Sequence, residues 1–516
     1  MARRPFVDRV LGAVGLQRQS SARRYRVSGA WQGADSNRFT ASWMTPTSSI
    51  NLDLRYQLPT LRSRARWLVE NNGYCAGFAR CVEDNLIGPK GVQLRGAIRT
   101  KTGAFATATN HAIEEAFTRW GGRATCDVAR RLTWLDTQRL VARTVAIDGE
   151  CFIRIIRGAS NAFGFALQIL DTDLVDDSYH VAASAGQHEI RMGVELDAWG
   201  GAVAYHVLTS HPAEHASRER MRIVADDMLH LFVPLRAGQV RGVPWLAPVL
   251  TDAQMLDGYE EAELIGARTA ATSMGLLKPN ENAALDANSP IDTQFSAEPG
   301  QFRELPYGYD VEQWTPQQPS ASFSAFVESI LRCIARGAGV TYMSLTGDLT
   351  NANYSSLRAG QAPERDAWRA LHQWLIPRLH APTYEAWLPY ALLADQIAVD
   401  SRLASTYQTV TWKGRGWVSV DPLKDIQAWE RKIRLGVGSR TKMLAEEGED
   451  FEDMIDELRD EMDYAMQERV DIAGVDAMTP VVPGATDTTS VPAVVPDARS
   501  RPVMRGLRSL ASRVRA

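Results

Sequence analysis

The chain contains no uninterrupted apolar run of about 18 residues, which excludes a helix of the kind that spans a bilayer. Its N-terminal stretch "MARRPFVDRVLGAVGLQRQ" is broken by Asp8 and Arg9, so no export signal is expected. Cysteine is scarce: Cys75, Cys81, Cys126, Cys151 and Cys333 are odd in number, scattered and free of any CxxC pair. That spacing excludes a disulfide framework and a thiolate zinc site. No GxxxxGK[ST] phosphate loop occurs, and Gly337-Ala338-Gly339 lacks the third glycine and the preceding strand of a dinucleotide loop. No nucleotide cofactor is expected.

An excess of positive charge is also missing from the body of the chain. The 516 residues hold 57 Lys and Arg against 61 Asp and Glu, a net charge of -4. Residues 1–24 carry six Arg against one Asp, and residues 499–516 carry six Arg and no acid. Residues 446–463 carry eleven acids against Arg459. Setting these segments aside leaves the remaining body at about -5. A duplex-binding protein that grips phosphates needs a dense Lys/Arg face. Here only the tails could supply one, so any DNA handled by the body is handled without tight hold.

What is present suits a folded chain of more than one domain. The segment 61–88 has helical periodicity through Trp67, Leu68 and Val69, pauses at Asn72-Gly73 and resumes through Phe78, Val82 and Leu86, which predicts two helices. From about 149 the period changes to two. Ile190, Met192, Val194 and Leu196 alternate with polar partners, and Trp199-Gly200-Gly201 turns the chain before Val203, Tyr205 and Val207, which predicts a sheet of hairpins. Gly242, Pro244 and Pro248 read as a hinge ahead of a helical segment that runs to Leu277. Residues 278–322 read as an irregular insert. A second helix follows, with Phe323, Phe326, Ile330 and Ile334 on one stripe and a stop at Gly337. Beyond it come the polar loop "TGDLTNANYSSLRAG" (346–360), a Trp-rich helical stretch at 355–395, a strand-like "VTWKGRGWVSVDP" and a last acidic helix at about 439–470. From 471 the composition predicts a disordered tail.

Few groups are placed for chemistry. Asp171, Asp173, Asp176 and Asp177 cluster at a strand end, where a divalent metal could be held, but no HxxE, DxDxDG or similar frame accompanies them and they read as a solvated turn. His206, His211 and His215 have loose ligand-like spacing interrupted by Pro212 and read as surface histidines. Cys126 and Cys151 sit in no catalytic frame and read as core residues. In the polar loop, the backbone amides of Thr346 to Asp348 could hold a phosphate. Alternatively the loop is a helix-capping turn, with Ser355 or Ser356 accepting orphan amides.

The order of segments is more specific than any one of them. "LVENNGYCAGFARCVEDNLIGPKGVQL", "TWLDTQRLVARTVAIDGECFIR", "LQILDTDLVDD", "IRMGVELDAWGGAVAYHV", "DDMLHLFVPLRAGQVRGVPWLAPVL", "FVESILRCIARGAGVTYMSLTGDLTNANYSSLR" and "WVSVDPLKDIQAWERKIRLGVGSRTKMLAEEGED" follow one another. This succession, over roughly residues 50 to 465, resembles the lambda-like family of tailed-phage portal proteins.

The resemblance implies an α+β portal-type fold: a mixed wing domain, two stem helices flanking an inserted clip, and a helical crown. On this chain it implies a basic N-terminus at 1–24, a wing at 25–245, a first stem helix at 246–275, a clip at 276–320 and a second stem helix at 321–338. A polar channel-loop region at 339–360, wing return helices at 361–412, a crown at 413–470 and a tail at 471–516 complete the division. The implied role is a dodecameric ring at a unique capsid vertex, through which double-stranded DNA passes without sequence specificity during packaging and ejection. The implied partners are the terminase large subunit, the major capsid and scaffolding proteins and a head-tail adaptor. No membrane, cofactor, metal or catalytic residue is implied, and the expected location is the virion after assembly in the host cytoplasm.

The candidate channel loop comprises Thr346, Gly347, Asp348, Asn351, Asn353, Tyr354 and Ser355. The candidate channel-lining acids are Asp257, Glu260 and Glu261, neighbours on one face of the first stem helix. The candidate stem-packing residues are Phe323, Phe326, Ile330 and Ile334. Two other classes stay open at this point: a metal-dependent phosphodiesterase using Asp171 to Asp177, and a scaffold or adaptor that binds DNA only through its Arg tails.

Overall fold

The computed structural model describes residues 47–100, 106–215, 218–271, 275–279, 309–313, 323–350, 354–399, 406–417, 422–447 and 451–468. The basic N-terminus, the tail from 471, most of the 276–320 insert, and Asn351 and Asn353 of the polar loop therefore lie outside the described residues. The chain divides into two compact units, one ending at Asp425 and one starting at Ile426.

In the first unit, helix α1 (Ile50–Asn71) and helix α2 (Gly73–Leu86) are separate, as the spacing predicts. Asn72 leaves helical geometry, and its side chain accepts from the amides of Tyr74 and Cys75, so one residue ends α1 and caps α2. After strand β1 (Gln93–Gly96) come α3 (Thr107–Trp120) and α4 (Trp134–Asp148). A capping box between Thr133 and Asp136 starts α4, and Gly149 at φ 89 stops it.

The period-two region forms two antiparallel sheets. One has β2 (Glu150–Arg157) between β3 (Phe165–Leu170) and β8 (Met228–Phe232). The other is a meander of β4 (Glu189–Arg191), β5 (Val194–Leu196), β6 (Ala202–Leu208) and β7 (Arg220–Val224). The alternation at Ile190, Met192, Val194 and Leu196 is not one strand. Met192 and Gly193 take φ of 47 and 79, and Arg191 pairs with Val194, a two-residue hairpin with both central residues left-handed. All four apolar residues are buried all the same, so the core contacts of Met192 outweigh an unfavourable backbone.

Helix α5 (Leu250–Ala271) follows, then β9 (Gly275–Pro279), which pairs antiparallel with β10 (Tyr309–Gln313), then α6 (Phe323–Ala338). Two helices thus bracket a segment whose ends are paired strands. Beyond them lie α7 (Tyr342–Thr346), α8 (Tyr354–Leu375), a π turn at Ile376–His380, α9 (Ala381–Leu393) and β11 (Val410–Lys413). Strand β11 returns to pair with β1, and Phe117 packs against Trp120, Trp134, Tyr384, Trp387 and Trp412, so an aromatic cluster joins the two ends of this unit.

Helix α10 (Pro422–Arg434) crosses the boundary, and the second unit continues with α11 (Arg440–Glu447) and α12 (Phe451–Glu468). The acidic segment expected as one helix over about 439–470 is therefore two, with residues 448–450 outside the described set.

Candidate functional site

Helices α5 and α6 are each apolar toward the body of the chain. Leu250, Ala253 and Leu256 of α5 are buried in the same cluster as Val327, Leu331, Ile334, Ala335 and Ala338 of α6. The stripe expected to pack against the other stem helix or neighbouring copies lies beside this buried face. Ile334 lies in it and Phe323 and Ile330 flank it half-buried, but Phe326 is 51 % exposed. The ring of Tyr259 on α5 meets Phe323 at 5.6 Å and Phe326 at 5.4 Å. At the base of the pair, a Cβ on Gly337 would come within 2.3 Å of Val249 Cγ1, so glycine there permits the close approach.

The acids of α5 are not equivalent. Asn72 Nδ2 donates to Asp257 Oδ1 at 3.4 Å, and the Tyr74 hydroxyl donates to Glu260 Oε1 at 3.2 Å, which leaves both half-buried against the α1–α2 corner. Burial raises the pKa of Glu260 above the usual carboxylate value, and the neighbouring Asp257 adds to the rise. Glu261 alone of the three is exposed.

The polar loop is organised by its own side chains. Thr341 caps α7 through Ser344 N, and Gly347 ends it at φ 71 with its amide donating to Met343 O at 2.8 Å. Asp348 N donates to Thr346 Oγ1, while the Asp348 carboxylate accepts from Thr350 N, Thr350 Oγ1 and the Tyr342 hydroxyl. The amides of Gly347 and Asp348 are thus already engaged, and a carboxylate sits among them. Of the two alternatives for this loop, the phosphate cradle at Thr346 to Asp348 is therefore the one the geometry opposes. Ser355 and Ser356 fall in the first turn of α8, which begins at Tyr354, so neither is its N-cap residue. Ser344 Oγ donates to Glu364 Oε2 at 2.9 Å and ties the loop to α8.

The acid cluster at 171–177 is taken apart by arginines. Arg62, 1 % exposed, bridges Glu150 at 2.9 Å and Asp173 at 2.5 Å. Arg66 bridges Asp148 at 2.7 Å, Asp173 at 2.6 Å and Asp171 at 3.3 Å. Asp176 is buried, accepts from Ser178 and pairs with Arg220 at 2.6 Å. Asp173 and Asp176 are thus engaged by arginines, while Asp171 stays exposed. Asp171, Asp173 and His211 do bring ligand atoms within 4.8 Å of one another. Both oxygens of Asp173, however, already accept from guanidinium groups, whose charge repels a cation. His206 is nearly buried beside Glu195 at 3.4 Å rather than on the surface.

At the centre of this network the Glu150 carboxylate is fully buried. It accepts from Arg241 Nε at 2.8 Å, from Arg62 Nη2 at 2.9 Å and from Gly242 N at 2.8 Å, with His230 Nε2 at 2.9 Å. Burial alone would raise its pKa, but Arg241, His230 and Arg62 together override burial and hold it far below the usual range. Gly242, read as part of a hinge, is instead locked here. These arginines were missed in the sequence although one signal exists. Arg62 interrupts the buried stripe Leu54, Leu58, Ala65 and Val69 of α1, and a cation at a core position requires a partner.

The chain matches the family model described as phage portal protein, lambda family, over residues 36–372. The probable portal protein of Halomonas phage phiHAP-1 is 32% identical over 415 residues, 78% of this chain and 80% of the relative. Portal protein B of Escherichia phage lambda is 22% identical over 501 residues, 87% of this chain and 91% of the relative. Among solved structures, a chain in the neck of an empty gene transfer agent particle aligns with a TM-score of 0.44 at 14% identity, covering 76% of this chain and 94% of that one. The family is one of structural proteins, which sets aside the phosphodiesterase alternative. By the extent of the family match and the identity to the Halomonas phage relative, this chain belongs to the lambda family of phage portal proteins.

Proposed function

We propose that the chain is the subunit of a closed ring of twelve copies at a unique capsid vertex, the channel through which double-stranded DNA is packaged and ejected. One observation in the subunit supports assembly above others. Opposite its buried stripe, helix α5 exposes Met255, at 65 %, and Ile265, at 55 %, in line with Gly258 and Ala262 at three- and four-residue steps. An exposed apolar strip of this kind suits a larger assembly, in which neighbouring copies would cover it. A head-to-tail contact that closes on itself gives a ring.

In this reading α5 and α6 are the stem and β9 and β10 the root of the clip. The sheets with α1–α4 are the wing, α8 and α9 its return, and α10–α12 the crown. Residues 339–360 form the channel-loop region, with Asp257, Glu260 and Glu261 near the DNA path. The terminase large subunit, a head-tail adaptor and the capsid and scaffolding proteins are the proposed partners. Converting Met255 and Ile265 together to Arg tests the proposal, since neither side chain supports the subunit core. The variant is expected to keep the helical circular dichroism of the parent and to sediment as a monomer. Rings of unchanged size in that variant would remove this face from the subunit interface.

A further inference from the structure

The second unit sorts its charge as well as its apolar side chains. Ile426 and Ile433 of α10, Met443 of α11 and Phe451, Ile455 and Leu458 of α12 line one shared groove of about 580 Å³, so the three helices turn their apolar sides to one another. At 3.6 residues per turn, Arg431 and Lys432 on α10 and Lys442 on α11 fall away from that side, and all three are exposed. On α12, Asp456, Glu457 and Asp463 fall away from it likewise and are exposed. Residues 426–442 hold five Lys and Arg against Glu430, whereas residues 446–463 hold eleven acids against Arg459. The unit thus presents a basic side on α10 and α11 and an acidic side on α12.

These opposite charges do not meet inside the chain. Arg434 pairs with Glu430 at 2.7 Å and Arg459 with Asp456 at 2.8 Å, each within a single helix. Among the described residues no ion pair joins α10 or α11 to α12. Lys432 lies 4.4 Å from the centre of the Trp429 ring rather than on a carboxylate. Each side repels its own kind and attracts the other, so a complement that is not used within one copy is open to the next. A contact in which the basic side of one copy meets the acidic side of another is head-to-tail, the kind that closes into rings.

We infer that the acidic side of α12 in one copy docks on the basic side of α10 and α11 in the next, with Asp456, Glu457 and Asp463 facing Arg431, Lys432 and Lys442. The inference rests on the ring reading and adds an electrostatic contact to the apolar one proposed for α5. Unlike the apolar contact, it is weakened by salt.

The test reverses each side in the full chain. Arg431→Glu with Lys432→Glu turns the basic side acidic, and Glu457→Lys with Asp463→Lys turns the acidic side basic. None of these residues lines the groove, so the helical circular dichroism of each variant should match the parent. On dilution at low salt, followed by mass photometry, each variant is expected to lose its rings at a concentration at least about tenfold higher than the parent does, with the gap closing as salt is added. The chain carrying all four changes, in which the two sides exchange sign, should return to within about threefold of the parent. Equal ring stability in the single-side variants, or no recovery in the combined one, would overturn this inference and leave the ring reading in place. A parent that stays monomeric at every concentration would overturn both.

Discussion

Arg241 and Glu150 form an ion pair at 2.7 Å in which neither side chain has any exposure to solvent. The pair joins the chain just before α5 to the first residue of β2, and Arg62 brings α1 to the same carboxylate. Removing one partner leaves the other charges buried and uncompensated, at a cost of about 3–5 kcal/mol. Glu150→Gln should therefore lower the thermal midpoint of the first unit by several degrees, read by differential scanning calorimetry. A midpoint within one degree of the parent would mean that the network is not a source of stability.

The same network sets a direction with pH. Burial holds His230 below its ordinary value despite the neighbouring Glu150, and Glu150 itself is held low by its cations. His380, fully enclosed, is pushed down to about 3. Each group has a lower pKa folded than unfolded, so the unfolded chain binds more protons as the pH falls, and stability is lost in acid. The loss should begin below about pH 6.5, where unfolded histidine starts to protonate, and steepen below about pH 4.5 as unfolded carboxylates follow. Urea midpoints measured from pH 8 to pH 4 should fall throughout the acid half of that range. A flat profile would show that these groups titrate alike in both states.

Gly242 offers a sharper test of packing. A Cβ there would lie 2.2 Å from the Gly149 carbonyl oxygen, and one on Gly149 would lie 2.2 Å from the Val243 carbonyl carbon. Both obstacles are backbone, which cannot swing aside. Gly242→Ala should cost about 3 kcal/mol or more and reduce the soluble yield. Gly238→Ala, which meets no atom within 4 Å but has φ 74, should cost only the milder backbone strain of about 1 kcal/mol. Equal losses in the two variants would contradict the close crossing.

Much of this architecture was legible before the structure. The break at Asn72-Gly73, the change to period two after 149 and the paired helices around an insert are local signals, and local signals survive in sequence. The arginine network was not legible, because Arg66 and Asp173 are more than 100 positions apart and only the fold brings them together. On α6 the residues buried within the chain, Val327, Leu331, Ile334, Ala335 and Ala338, include small ones that the spacing of Phe323, Phe326, Ile330 and Ile334 does not mark. Gly242 and Pro244 looked like a hinge because glycine serves close approach and flexibility alike.

Charge on α5 leads to a prediction about DNA. If the acids of this helix are repeated around a channel, they weaken the hold on phosphates. Glu260→Lys with Glu261→Lys should leave assembly intact, raise duplex affinity at low salt and slow packaging. Glu260 also accepts from Tyr74, so Glu261→Lys alone, at an exposed position, serves as the control for folding. Unchanged DNA affinity in both variants would put this face away from the DNA path.

The polar loop predicts a separation of assembly from transport. Asn351, Ala352 and Asn353 are small residues, so replacing Asn351 to Tyr354 by a Gly/Ser linker is expected to cost little stability. Assembly is expected to proceed, with packaging or genome retention impaired. Loss of assembly in that variant would make the loop an interface element.

The central claim is that copies of this chain close into a ring, and the mass of the purified particle tests it most directly. Native mass spectrometry of the full chain, whose subunit mass is 57.1 kDa, should give one closed species of about twelve copies, with ring views of matching symmetry in electron micrographs. A monomer or dimer that persists across protein concentration and salt would contradict the account.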